Sequence, residues 1–304
     1  MSENIKEWIK LQKDHRAQLE KLKQIYSQRL EYRDLEFPAN EQSLIQGINM
    51  LEYKGQWSQI GWKTTLGDNN KFLHDFNPQN FSFGQVFNND FLNAMGILSY
   101  RKELIRQLFE FKSLRSNCCG IWLFVGGRWS LVIVDLSVPV SRMEDQTQPV
   151  FSFNINGDPW LQLIEKAYAK LLGSYYKLQY PNAIATIQNF TGLPLRRMPM
   201  EPVSLLWKEI KASLQRKFIV AGFLEDENIE KVFLLEVFYQ NEREGVRIVR
   251  VAKGFHKFDW DGEWAFHDSR WTRKMREELG YFEEDQSFCW MSIEDCAKLF
   301  TSVS

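Results

Sequence analysis

The segment Asp158-Pro159-Trp160-Leu161-Gln162-Leu163-Ile164-Glu165-Lys166-Ala167-Tyr168-Ala169-Lys170-Leu171-Leu172-Gly173 carries complete punctuation for one helix. Asp158 stands as an N-cap, and Pro159 falls in the first turn, where a missing N–H costs nothing. Gly173 follows the last periodic residue, where a left-handed backbone closes a helix. Upstream, Gly120–Val125 and Arg128–Leu136 alternate or run apolar around Gly126-Gly127, a pair suited to a two-residue hairpin turn. Further upstream, Asn88, Asn89 and Asp90 offer caps ahead of Phe91, Leu92, Met95, Ile97 and Leu98, so a helix is expected to begin near Asn88. Downstream, Val203–Lys217 returns to helical period. Strands are then expected over Phe218–Phe223, Val232–Tyr239 and Val246–Ala252, followed by a tight turn at Trp260-Asp261-Gly262-Glu263-Trp264.

Helices thus dominate the first half and strands the second, an α+β arrangement split near Tyr180–Ile187. No internal repeat is visible. At the N-terminus, Glu3–Leu35 holds no Gly or Pro, and Ile5, Trp8, Ile9, Leu19, Leu22, Tyr26 and Leu30 recur at three-and-four spacing. That spacing predicts a long amphipathic helix, broken at Gln12 and His15 where a heptad would want apolar residues. Two roles stay open for it: a cover for its own domain, or an arm that docks on a partner through Trp8, Leu19, Leu22 and Tyr26.

The 304 residues and 36.1 kDa suit about two domains of roughly 150 residues each. A net charge of −1 provides no field that would draw the chain onto nucleic acid or an anionic membrane. Aromatic residues make up 14% of the chain, which points to large flat side chains in the core and at an interface. No apolar run approaches the roughly 18 residues of a membrane span, and Met1–Arg16 is too charged for a signal peptide. The cysteines, Cys118, Cys119, Cys289 and Cys296, lack disulfide or zinc spacing. The expectation is a soluble, cytoplasmic protein.

Taken together these segments resemble the core of the calpain-type cysteine proteases. Leu35-Glu36-Phe37-Pro38-Ala39-Asn40-Glu41-Gln42-Ser43-Leu44 is similar to that family's Phe-Pro-Ala opening segment followed by Ser-Leu. Gly127-Arg128-Trp129 through Val134-Asp135 is similar to its Gly-x-Trp hairpin ending in Val-Asp, and Leu163–Lys170 nearly reproduces its Leu-Glu-Lys-Ala-Tyr-Ala-Lys helix. Phe190-Thr191-Gly192, Trp260–Trp264 and Phe288-Cys289-Trp290-Met291-Ser292 resemble three further motifs. The resemblance implies a papain-like fold, with a helical subdomain over 36–184 and a β-barrel-like subdomain over 185–304, preceded here by the amphipathic helix that the spacing predicts over 1–35.

It also implies where chemistry would sit. The family uses a Cys nucleophile, a His that takes and returns its proton, an Asn that orients the His, and a Gln that donates to the oxyanion. The Gln-Gly-x-Leu-Gly-Asp-Cys-Trp motif falls on Phe83–Asp90, which puts Phe83 at the oxyanion Gln and Asn89 at the Cys. The His strand falls on Glu230–Leu235 with Lys231 near the His position, and the Asn-Pro-Trp-Gly motif falls on Lys253-Gly254-Phe255-His256, with Lys253 at the Asn. A carboxamide cannot form a thiolate, so an acyl-enzyme step through Asn89 has no attacking atom.

Other candidate sites read more plainly. Cys118 and Cys119 suit buried structural thiols better than a relocated nucleophile. His256 and His267, near Asp259, Asp261 and Asp268, suit turn and loop residues better than a metal shell. No cofactor is expected. Calcium is the single ion the resemblance raises, at Asp226, Glu227 and Glu230, and no EF-hand loop is present. The expectation is therefore a calpain-like pseudoprotease acting as a non-catalytic structural or scaffolding subunit in a larger protein assembly. The partners anticipated are proteins, with the cytoskeleton or cilium as the setting. The alternative is a calcium-dependent cysteine endopeptidase with a displaced nucleophile.

Overall fold

The computed structural model describes residues 16, 17, 19–21, 23, 24, 27, 31–45, 60–65, 72–86, 88–113, 116–143, 146–226, 229–282 and 287–304. Two compact units divide the chain, Met1–Leu193 and Pro194–Ser304. The division falls after the Ala183–Thr191 helix rather than at 184/185. That helix belongs to the first unit because Phe190 packs edge-on against Phe91 and Tyr168, with ring centroids 6.2 and 5.2 Å apart.

The Trp160–Leu172 helix lies at the centre of the first unit, with Trp160, Leu161, Ile164, Ala167 and Tyr168 almost fully buried. Gly173 closes it at φ 103°, in the left-handed region. Asp158 is not chiefly its cap. Its carboxylate accepts the backbone N–H groups of Leu73, His74 and Asp75 at 2.8–3.1 Å, and Trp160 N only at 3.5 Å. A loop distant in sequence uses the acceptor that local reading gave to the helix.

The hairpin forms from Cys118–Val125 and Arg128–Asp135, with Gly126 and Gly127 at φ 62° and 76° as a primed two-residue turn requires. Phe109–Ser113 adds a third strand to it. A second antiparallel sheet joins Ile60–Thr64, Ser137–Met143 and Gln146–Pro149, and Phe81–Ser82 pairs with Phe153–Asn154. The expectation that helices dominate the first half is thus corrected. These strands are short and interrupted, so they lack the sustained alternation that announces a strand.

Two lysines on one side of the central helix, Lys166 buried and Lys170 partly so, tie this unit together. Lys166 Nζ, with a fully buried side chain, donates to Asp135 Oδ1 and to the Ser137 carbonyl, both at 2.6 Å. One turn on, Lys170 Nζ donates to both Asp34 carboxylate oxygens at 2.8–2.9 Å and to the Ile133 carbonyl at 2.8 Å. The circuit closes where Asp34 N donates to Asp135 Oδ2 at 3.1 Å.

This circuit also limits the N-terminal helix. Residues 16, 17, 19–21, 23, 24 and 27 are helical, but 31–34 are not. Tyr32 N donates to the Ser116 carbonyl, and the Tyr32 carbonyl accepts from the Asn117 side chain, which pulls the backbone out of helical register. The helix expected over 1–35 therefore does not reach Leu35, and Trp8, Leu22 and Tyr26 lie outside the described residues. Leu19 is half-buried against Cys118, Leu131 and Ile133 of its own chain.

The second unit is built on a five-stranded antiparallel sheet in the order Phe288–Ser292, Val246–Ala252, Ile229–Asn241, Val220–Asp226, Ser302–Val303. It is open among the described residues, so the β-barrel-like expectation is corrected to a sheet covered on both faces. Val249, Val251 and Met291 meet Leu206, Trp207, Ile210 and Phe300, whose helices and helix ends cover one face. Ile248 and Trp290 meet Trp264, Trp271, Met275 and Tyr281 on the other. A register shift between Leu235 and Val237 moves the first face from Phe233 and Leu235 to Phe238, the parity change that an extra bulged residue produces.

Replacing Lys166 by Met leaves the Asp135 carboxylate buried without its cation. Breaking a buried pair in this way costs about 3–5 kcal/mol. K166M is therefore expected to lower the urea midpoint of the full chain by that equivalent, and K166M/D135N to recover part of the loss.

Candidate functional site

In the first unit the residues of interest sit on a loop and the head of a helix. The loop 83–86 runs along Pro149–Phe151, with Gly84 N donating to the Phe151 carbonyl at 3.0 Å and Val86 N to the Val150 carbonyl at 2.9 Å. A Cβ on Gly84 would stand 2.0 Å from the Pro149 oxygen, so no other residue fits. Phe83, beside it, is 40% exposed. Gln85, the glutamine of this loop, donates its side chain to Ser141 Oγ at 2.9 Å. Asn89 is the first residue of the Asn89–Ser99 helix, as the capping pattern led one to expect, though Asn88 makes no side-chain capping bond.

Asn88 is turned inward. Its Nδ2 donates to Glu165 Oε1 at 3.0 Å, and Glu165 also accepts from Ser152 N and Ser152 Oγ, each at 2.9 Å. Burial pushes the Glu165 carboxyl up to about 8, against these hydrogen bonds, which work the other way. Glu165 thus fixes the residue before Asn89 from the central helix. Sequence reading missed this role, because a Glu beside a Lys in an amphipathic helix reads as solvent-facing.

In the second unit, Lys231 pairs with Leu224 across the sheet, and Lys253 follows the Val246–Ala252 strand and is buried. His256 N donates to the Lys253 carbonyl at 3.2 Å, and its ring lies 5.4 Å from that of Phe233. Burial, and then the charge of Lys231, lower His256 to about 4. This histidine therefore closes the turn that begins at Lys253, as its reading as a turn residue anticipated, and its ring packs against Phe233 in the neutral form. The Trp260–Trp264 turn is present: the Trp260 ring covers Gly262, where a Cβ would lie 2.2 Å away, and Trp264 adopts φ 66°. His267 lies beyond this turn beside Phe266.

All four cysteines are buried and reduced. Burial raises the Cys118 thiol to about 11 and Cys289 to about 12, and pushes Cys119 and Cys296 up as well. Among the described residues, no group of three or more His, Cys, Asp or Glu could hold a metal ion, and no helix is long and apolar enough to cross a membrane. Of the calcium candidates, the Asp226 side chain and Glu227 lie outside the described residues.

The sequence profile of the calpain family cysteine proteases matches residues 32–304. The chain belongs to the calpain family. It is 22% identical over 300 residues to the calpain-type cysteine protease DEK1 of Arabidopsis thaliana, covering 90% of this chain and 14% of that protein. It is 25% identical over 298 residues to calpain-9 of Rattus norvegicus, covering 90% of this chain and 42% of calpain-9. Against the calpain-1 catalytic subunit of Bos taurus the identity is 27% over 300 residues, covering 89% of this chain and 41% of that subunit. This calpain-family chain thus spans less than half the length of these relatives. In calpain terms, Asn89 and Phe83 lie in the first unit, and Lys231 and Lys253 in the second.

Folding carries the Glu165 carboxyl from an ordinary value of 4.5 to about 8. Between these values the unfolded chain has released a proton that the folded chain keeps, so this group's contribution to stability falls as pH rises from about 4.5 to about 8, by up to about 1.4 kcal/mol per pH unit. E165Q is expected to flatten that part of the profile. Urea unfolding at pH 5 and pH 8 measures it, and an identical pH slope in both proteins would contradict the assignment.

Proposed function

We propose that this calpain-family domain is a pseudoprotease, a non-catalytic structural or scaffolding subunit of a larger protein assembly. The observation that carries the reading is Asn89 at the head of its helix, where the motif alignment sets the family's nucleophile. A carboxamide there supplies neither a thiolate nor a leaving group for acyl transfer. Supporting it, Gln85 spends its side chain on Ser141, and Lys231 and Lys253 carry ammonium groups where the family's motifs carry an imidazole and a carboxamide. The second reading, a calcium-dependent endopeptidase with a displaced nucleophile, would draw on Cys118 or Cys119. Both are buried with raised thiols, which disfavours the thiolate that such chemistry needs.

For partners the reading is other proteins, with no nucleic acid and no membrane, in the cytoplasm with a cytoskeletal or ciliary setting. The helical pattern over Ile5–Leu30 is the proposed docking arm, with Leu19 committed at least in part to its own sheet.

The full chain is expected to leave casein and fluorogenic calpain peptides uncut, with or without calcium. N89C alone should not restore cleavage, because no imidazole stands at the Lys231 position to take and return the proton. Iodoacetamide should label the thiols only in denaturant. Cleavage that persists through purification and disappears in C118S or C119S would overturn the pseudoprotease reading.

A further inference from the structure

We propose that a cavity within the second unit binds a single carboxylate carried on an aromatic or large apolar body. The cavity holds about 440 Å³ and is lined by Lys253, Asp259, Trp260, Phe266, Tyr281 and Phe288, among others. That volume lies within the ordinary range for small-ligand pockets, roughly 300–1,000 Å³. Its wall is aromatic. Tyr281 packs against Phe266 and Phe288 with centroids 5.1 and 5.5 Å apart.

The charge that gives the cavity its preference is Lys253. Its side chain is only 9% exposed, yet among the described residues its ammonium makes no hydrogen bond. Its ion-pair partner there, Asp259, stands 4.0 Å away with a fully solvent-exposed side chain. At 4.0 Å that partner is beyond hydrogen-bond length, so a carboxylate entering the cavity would provide the charge-assisted hydrogen bond that Asp259 does not.

The surrounding groups narrow the ligand further. Asp268 accepts from the N–H groups of Trp264 and Arg270 and pairs with the Arg270 guanidinium, so its charge is already met. Asp259 and Asp261 are exposed and unfavourable to a second negative charge, which selects a monoanion over a phosphate. The Cys289 thiol, raised to about 12, contributes neutral surface to the wall. Trp260, Phe266 and Phe288 in the lining suit an aromatic or broad aliphatic body. Two sources share this chemistry, a free aromatic acid and the C-terminal residue of a peptide. The site does not rest on the loss of catalysis.

The test is a calorimetric titration of the full chain with 3-phenylpropionate, with its neutral amide, and with a pentapeptide ending in Phe as the free acid or the C-terminal amide. The expected result is binding of at least one acid, tenfold or more tighter than its amide, with that preference lost in K253M. Binding of phenylpropionate would point to a free acid, and binding of the peptide acid alone to a chain terminus. The comparison of acid with amide uses the unmodified protein, so it does not depend on the variant folding. Equal binding of acid and amide, no binding of either acid, or an undiminished preference in a folded K253M would overturn the proposal.

Discussion

Four charges, Asp34, Asp135 and Lys166 buried and Lys170 partly so, set the frame of the first unit. Each lysine comes from the central helix, one aspartate ends the hairpin, and the other follows the non-helical stretch Glu31–Arg33. Removing such groups from water costs several kcal/mol each, so the arrangement persists only because every ammonium meets a carboxylate and a carbonyl. Burial works to raise the Asp135 carboxyl, but Lys166 and Ser137 outweigh it and hold the group below its ordinary value. The spacing of the lysines, one helical turn apart, fixes which strand end and which loop the helix can meet. Glu165, next in line, faces the loop side and reaches Asn88. One helix therefore sets both the frame and the position from which the candidate nucleophile helix starts.

How legible this was follows from where the partners lie. The central helix, the Gly126-Gly127 hairpin and the strand Val246–Ala252 were readable because their signals are local: a capping glycine, a turn pair, an alternating run. Asp158 was misread because its partners, Leu73 to Asp75, are more than eighty residues away, and a carboxylate beside a helix start looks like a cap whichever N–H groups it meets. The two-residue strands at Phe81 and Phe153 carry no period of their own. The motifs directed attention to Phe83, Asn89, Lys231 and Lys253, but the contacts of Gln85, Asn88 and His256 needed three dimensions.

The second unit solves a different problem. Its sheet is apolar on both faces, so it is covered by helices on one side and by the tryptophan-rich segment on the other. The parity of the long strand Ile229–Asn241 changes at its bulge, which lets Phe233 and Phe238 serve the same core despite an odd separation. Before the bulge lies Lys231, sharing the parity of Phe233, and this is why its charge is felt by His256 on that face. The tryptophan segment needs Gly262 beneath Trp260 and a left-handed Trp264, and it is this folding of large rings onto one another that leaves a cavity at Lys253.

The loop at Gly84 is fastened by its main chain. Its anchoring donors are backbone N–H groups, its anchoring acceptors are backbone carbonyls, and its one steric demand is the absence of a Cβ at a single position. A segment held in this manner keeps its path through its main chain, with the Gln85 side chain adding one bond to Ser141 Oγ. Gly84 admits no side chain, and the partners of Lys166 hold a buried charge, so both positions are constrained by the fold itself. The path of this loop is therefore written chiefly in its backbone.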